Sequence, residues 1–220
     1  MRVIGHRGAS ADAPENSLAA FRLAATQGAD GVECDLRLSA DGVIVLSHDD
    51  TLIHSRGVAV KIGETTAANL ATHDVPTLTA MLAAMRGQVS IINLELKEPV
   101  PPELLAATIG PDTEGIVFSC FDTAIVARTH VALPHIPFWY LSVHGTADAI
   151  HEATQLGCAA LHTRYTAVTP EYCALAAIAH LPVYVWSLND PVHARVLEEY
   201  GVVGITTDVP AHMRAAFPKT

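Results

Sequence analysis

Short apolar runs alternate with longer stretches of helical periodicity along nearly the whole chain. Residues 3–5 predict a strand, and 17–27 a helix with Ala, Leu and Phe21 on its apolar face. A second strand is predicted over 31–36, then an extended run over 43–47 and a helix over 77–85. The rhythm repeats as strand 90–95 with helix 103–109, strand 116–119 with helix 123–130, and strand 138–141 with helix 147–156. It closes with strand 159–162 and helix 170–180, strand 183–186 and helix 191–200, and strand 204–206 and helix 210–217. Eight strand–helix units in 220 residues predict an α/β fold, a single-domain TIM-like (β/α)8 barrel over residues 1–220. The alternative is an open doubly wound sheet, which uses about five or six strands and commonly a Gly-x-Gly-x-x-Gly loop that is missing here. Residues 50–76 break the rhythm and read as a short insertion after the second strand, lying over the barrel mouth.

Composition narrows the function. Half the residues are hydrophobic, enough for a sizeable core. No apolar run approaches the ~20 residues of a membrane span, so stable membrane insertion is not expected. The N-terminus reaches His6 without room for a signal segment, which predicts a cytoplasmic protein. Cys34, Cys120, Cys158 and Cys173 are scattered and read as buried reduced thiols. The net charge is −10 with no basic run, which argues against nucleic acid as a partner. A phosphate ester would then have to be held by a local cluster or a bound cation.

In a parallel barrel the chemistry sits at the C-terminal strand ends, and polar residues collect there. His6 and Arg7 follow the first strand, Glu33 and Asp35 lie on the second, Glu95 and Lys97 close the third, Trp186 ends the seventh and Asp208 follows the eighth. Glu33 and Asp35 are two apart on a strand and share a face, as do Glu95 and Lys97. The bland reading is a salt-bridge network closing the barrel. Acids outnumber bases in the cluster, however, and three convergent carboxylates repel one another unless a cation lies among them. Oxygen-only ligation favours Ca²⁺ or Mg²⁺ over zinc.

A two-residue turn at Asp41-Gly42 pairs residue 40 with 43 and so sets Asp35 opposite His48, roughly 4.5–5.5 Å away at Cα. A longer loop shifts the pairing by about two positions and still leaves His48 near the carboxylates. A lone histidine is more often structural than catalytic, and this chain has 12. Two of them, His6 and His48, brought to one carboxylate cluster suit proton transfer at neutral pH. His54, His73, His162 and the rest are expected to be solvent-facing or structural.

These residues fall in runs that resemble a known family. Gly5-His6-Arg7-Gly8, Pro14-Glu15-Asn16-Ser17, Ala20-Phe21, Gly28-Ala29-Asp30, Glu33-Cys34-Asp35 and Asp41-Gly42 through His48-Asp49 resemble the glycerophosphodiester phosphodiesterases. Glu95-Leu96-Lys97, Val185-Trp186-Ser187-Leu188-Asn189 and Gly204-Ile205-Thr206-Thr207-Asp208-Val209-Pro210 continue the match in order. The resemblance implies a TIM-barrel enzyme that hydrolyses small-molecule glycerophosphodiesters to glycerol 3-phosphate and an alcohol. It implies His6 and His48 as the acid/base pair, Glu33, Asp35 and Glu95 as ligands of Ca²⁺ or Mg²⁺, and Arg7 and Lys97 as phosphate holders. Glu15 and Asn16 are expected to support the site and not to act as catalysts, Asn16 by bracing it in preference to touching substrate. Trp186 is expected either to pack on the glycerol carbons or to serve as a rim residue of the core. The chain departs from the family where an Arg-Thr-Thr-like segment is replaced by Ile53-His54-Ser55-Arg56.

Two rival readings keep the barrel. One turns over lysophospholipids or releases a cyclic phosphate, and needs an apolar groove that the short insertion does not obviously supply. The other binds a phosphodiester or stores metal without turnover, and needs the carboxylates but not both histidines.

Overall fold

A computed structural model describes residues 1–53 and 59–219. Eight parallel strands close on themselves: β1 (Arg2–Gly5), β2 (Gly31–Leu38), β6 (Ile91–Leu96), β7 (Ile116–Cys120), β8 (Phe138–Ser142), β9 (Ala160–Arg164), β10 (Val183–Trp186) and β11 (Val202–Thr207). β1 pairs with both β2 and β11, which seals the barrel. The crossover helices are α1 (Leu18–Thr26), α3 (Leu78–Met85), α4 (Pro102–Ile109), α5 (Thr123–Ala132), α6 (Ala147–Gln155), α7 (Pro170–Ile178) and α8 (Pro191–Tyr200), with α9 (Pro210–Ala216) after the last strand. This is the predicted (β/α)8 architecture.

Local sequence fixes where the helices begin. Ser17, Thr77, Asp122, Thr146, Thr169 and Asp190 each accept a backbone N–H of the first helical turn. Each such cap contributes about 0.5–2 kcal/mol. Proline opens α4, α7, α8 and α9, where its missing N–H costs no helical bond.

The main core lies between the outer barrel face and the helices, and includes Phe21, Met81, Phe118, Phe138, Leu161 and Val185. Inside the barrel, Ile4, Ile91, Val117, Trp139, Ala160 and Tyr184 form an apolar plug. Trp139 stacks on Tyr184 at 4.0 Å between ring centroids. Gly204 makes room for that pair, because a Cβ there would lie 2.5 Å from the Tyr184 ring.

The β2–β3 hairpin differs from expectation. β3 (Ile44–Leu46) pairs Leu36 with Leu46 and Leu38 with Ile44, so Ser47, not His48, faces Asp35. The loop has three residues: Ser39 N–H donates to the Val43 carbonyl at 3.0 Å, and Gly42 takes φ +75. A left-handed third residue is the usual requirement of that loop, and it displaces the register by one. Such a slip would point His48 away if the ladder continued. It does not: β3 ends at Leu46, and Arg37 holds the His48 carbonyl through Nε at 3.1 Å and Nη2 at 2.8 Å.

The segment 50–76 contains structure that periodicity did not reveal, namely a β4 (Thr51–Ile53) and β5 (Ala59–Lys61) pair and a short α2 (Ala67–Ala71). Ile62, Leu70 and Val75 form a small separate cluster with Val45 of β3. The segment is therefore anchored on the β2–β3 hairpin. The divergent run at Ile53 passes into His54, Ser55 and Arg56, which lie outside the described residues.

Candidate active site

Seven of the eight predicted site residues line one cavity of about 190 Å³ at the C-terminal mouth: His6, Arg7, Glu33, His48, Glu95, Lys97 and Trp186. The eighth, Asp35, is buried against it at 1% exposure. Phe121, Leu141, His162 and Thr206 complete the wall, and no described residue of 50–76 takes part.

The register explains the carboxylate cluster. β2 and β6 pair Asp35 with Glu95, and Glu33 lies one inward position below Asp35. One oxygen each from Glu33, Asp35 and Glu95 lie within 4.8 Å of one another. Burial and the charges of Asp35 and Glu95 push the Glu33 carboxyl well above its usual range; burial and Asp35 raise Glu95. Glu33 takes the Arg7 backbone N–H on Oε2 at 2.9 Å, while its buried Oε1 has no hydrogen-bond partner among the described residues. This donor set could hold a divalent cation: all oxygen, mutually repelling, with a free buried oxygen.

The basic residues brace the same acids. Lys97 Nζ lies 2.7 Å from Glu95 and 3.6 Å from Asp35. Arg7 Nε lies 3.2 Å from Asp35, and its Nη1 meets Glu15 at 2.8 Å. Burial opposes both cations, but the surrounding acids outweigh it and raise both groups. Asn16 donates to Asp35 Oδ2 at 2.8 Å and accepts the Asp35 N–H at 3.2 Å, the bracing role expected of it. Arg7 and Asn16 both adopt left-handed backbone, φ +54 and +56, joined by Asn16 N–H to the Arg7 carbonyl. Strain held at a site by its surroundings is a common mark of function.

Each predicted histidine is gripped at Nδ1 by a carboxylate. His6 meets Asp208 Oδ1 at 2.7 Å, and His48 meets Asp49 Oδ1 at 2.8 Å. That leaves Nε2 as the free nitrogen of both rings. Asp208 also accepts from Ser10 at 2.9 Å and from Asn189 at 2.7 Å, and Asn189 receives the Asp208 N–H in return. The bond to His6, helped by Asn189 and Ser10, holds Asp208 well below the usual carboxylate range despite partial burial. Asp49 is exposed and lacks such a frame.

Asp208, the polar residue after the eighth strand, thus serves to hold a histidine. The signal in the sequence was its position directly after the last strand, which closure of the barrel sets beside the first. Trp186 is tied down by its N–H to the His162 carbonyl at 3.0 Å and meets Phe121 edge-on at 5.5 Å. Phe121 was not anticipated. His162 is structural and not solvent-facing, 2% exposed and bonded to Thr206 at 3.0 Å. Burial, with His6 nearby, pushes it down to about 3, so the ring stays neutral.

Fold and mouth together define a TIM barrel with a polar, carboxylate-lined cavity at the C-terminal ends of its strands. The sequence model of the glycerophosphoryl diester phosphodiesterase family matches residues 6–212, and the chain belongs to that family. It is 30% identical to the probable glycerophosphodiester phosphodiesterase 1 of Mycobacterium tuberculosis, over 97% of this chain and 91% of that one. It is 27% identical to the glycerophosphodiester phosphodiesterase of Caldanaerobacter subterraneus over 94% of both chains. The structure superposes with a TM-score of 0.91 on an Oleispira antarctica phosphodiesterase in complex with the product sn-glycerol-3-phosphate. That pair is 26% identical and covers 100% of this chain and 97% of the other. The glycerophosphodiester phosphodiesterase of Thermotoga maritima gives a TM-score of 0.82 at 30% identity, over 95% of each chain. No helix among the described residues is long and apolar enough to cross a membrane.

Proposed function

We propose that this enzyme hydrolyses glycerophosphodiesters to glycerol 3-phosphate and an alcohol, with His6 and His48 as acid and base around a divalent cation, Ca²⁺ or Mg²⁺. The observation that carries the reading is the placement of two carboxylate-held imidazoles on the cavity that also receives Glu33 and Glu95. A barrel that only bound a phosphodiester would have no use for that pair.

Glu33, Asp35 and Glu95 would hold the cation, which when bound supplies charge neutralisation for the non-bridging phosphate oxygens. Arg7 and Lys97, fixed by their carboxylate partners, orient those oxygens from the protein side. One imidazole takes the proton of the attacking hydroxyl, either that of water, which gives glycerol 3-phosphate directly, or that of the glycerol 2-position, which gives a cyclic phosphate that a water then opens to glycerol 3-phosphate. The other gives its proton to the departing alkoxide as the P–O bond breaks. Such proton transfer is worth about 10²–10⁴-fold. Trp186 packs on the glycerol carbons, and its indole cannot swing away while its N–H is held by His162.

The test is a panel of glycerophosphodiesters assayed for released glycerol 3-phosphate, with Ca²⁺, with Mg²⁺ and in excess chelator. Turnover that requires the cation and stops with EDTA is expected. Unchanged rates in chelator would remove the carboxylate trio from the mechanism.

A further inference from the structure

The barrel interior carries a polar layer that none of the chemistry above uses. Asn93 on β6 and Ser119 on β7 are both 0% exposed and point into the barrel, between the apolar plug and the carboxylate trio. Among the described residues, neither amide atom of Asn93 has a hydrogen-bond partner, nor does the Ser119 hydroxyl. Native interiors rarely tolerate three such atoms within one small region. Their placement is also specific. Asn93 is the in-register neighbour of Glu33, and Ser119 is the in-register neighbour of Glu95. Two of the three acids proposed to hold the cation thus each have a buried, unpartnered polar side chain beside them on the next strand.

We infer that Asn93 and Ser119 hold a buried water site beneath the carboxylate trio and, through that water, brace Glu33 and Glu95 for the cation. The inference rests on the reading of the trio as a cation site. The layer is polar and offers the two to four partners that an internal water needs. Among the described residues, the Glu33 carboxylate otherwise takes a single hydrogen bond, the Arg7 N–H on one oxygen. Lys97 alone among the described residues hydrogen-bonds the Glu95 carboxylate. A carboxylate fastened on one side swings; water from below removes that freedom without adding charge. Asn93 and Ser119 are then positioning residues, and neither touches substrate.

The experiment pairs a high-resolution crystal structure with calorimetric Ca²⁺ titration of the wild type, Asn93→Leu, Asn93→Ser and Ser119→Ala. Ordered water bonded to Asn93 and Ser119 is expected in the wild type. Loss of support behind a metal ligand typically weakens metal affinity by about 10–100-fold, the loss expected for Asn93→Leu. Asn93→Ser leaves room for a second water and should recover part of that affinity; with Ser119→Ala it also serves if the leucine variant does not fold. A merely structural role would lower the melting temperature of the metal-free variants and leave their Ca²⁺ affinity unchanged. Asn93 and Ser119 without bonded water in a wild type that binds Ca²⁺, or an Asn93→Leu protein that is more stable and binds Ca²⁺ equally well, overturns the inference. Wild type that binds no Ca²⁺ overturns the cation reading and the bracing role with it.

Discussion

Replacing Asp208 by Asn tests whether His6 works only in the orientation its carboxylate imposes. Asp208 accepts three side-chain hydrogen bonds: His6 and Ser10 on Oδ1, Asn189 on Oδ2. An asparagine must give up one of those oxygens. If its amide nitrogen replaces Oδ2, it opposes the Asn189 NH₂, donor against donor. If it replaces Oδ1, it confronts Ser10 and forces the His6 proton onto Nε2, the nitrogen meant to face substrate. Either way the site loses a bond to an ionised group, worth about 1.5–3 kcal/mol. At about 1.4 kcal/mol per tenfold, kcat for glycerol 3-phosphate release should fall by roughly 10- to 150-fold at saturating cation. Asp49 provides the control. Its side chain is 74% exposed, and solvent screens its hold on His48. Asp49→Asn should cost no more than about fivefold. An Asp208→Asn enzyme within about twofold of wild type, or an Asp49→Asn enzyme equally damaged, would refute the argument.

Other outcomes follow from the same geometry. His6→Ala and His48→Ala should each abolish turnover while circular dichroism and melting temperature stay near wild type; near-normal rates in either would end the acid/base assignment. Burial and neighbouring acids raise Glu33 above its usual range, so its protonated form favours the metal-free fold. That contribution is fully present below the unfolded carboxyl pKa and is lost as pH rises through the higher folded value. The melting-temperature gain from added Ca²⁺ or Mg²⁺ should therefore grow as pH climbs through that window, and Glu33→Gln should flatten it. Gly204→Ala would push a methyl into the Tyr184 ring, a conflict of the kind that costs about 1–3 kcal/mol, readable by denaturant unfolding.

The barrel was legible because its signal is repetitive: apolar strands followed by capped or proline-led helices recur around the closed sheet. The acids were legible because two residues apart on a strand means one face, and the closed sheet brings β2 and β6 together. The β2–β3 register was not. Asp41-Gly42 fits a two-residue turn as well as the last two positions of a three-residue one, and only the Ser39–Val43 bond decides. His48 still reached the mouth through a contact no pattern announces, Arg37 on its carbonyl. β4 and β5 escaped notice because three residues are too few for alternation to show. The Asp208 partnership joins the two ends of the chain, and spacing carries no information at that range.

Charge at the mouth leads to a last consequence. Arg7 and Lys97 look like free phosphate holders in sequence, yet both are already committed to acids. Glu33, Asp35 and Glu95 outnumber them by one negative charge, and Glu15 adds another at the edge. Even with Glu33 protonated, the metal-free mouth is no better than neutral toward a phosphodiester, within a protein of net charge −10. A divalent cation among the three acids turns their deficit against Arg7 and Lys97 into an excess, and offsets Glu15 as well. The cation should thus govern binding as well as turnover. Glycerol 3-phosphate is expected to show calorimetric binding with Ca²⁺ or Mg²⁺ present and none in chelator, and salt should weaken the loaded complex. Equal affinity with and without the cation would mean that Arg7 and Lys97 hold the phosphate unaided, and that the balance of charges at the mouth does not control the site.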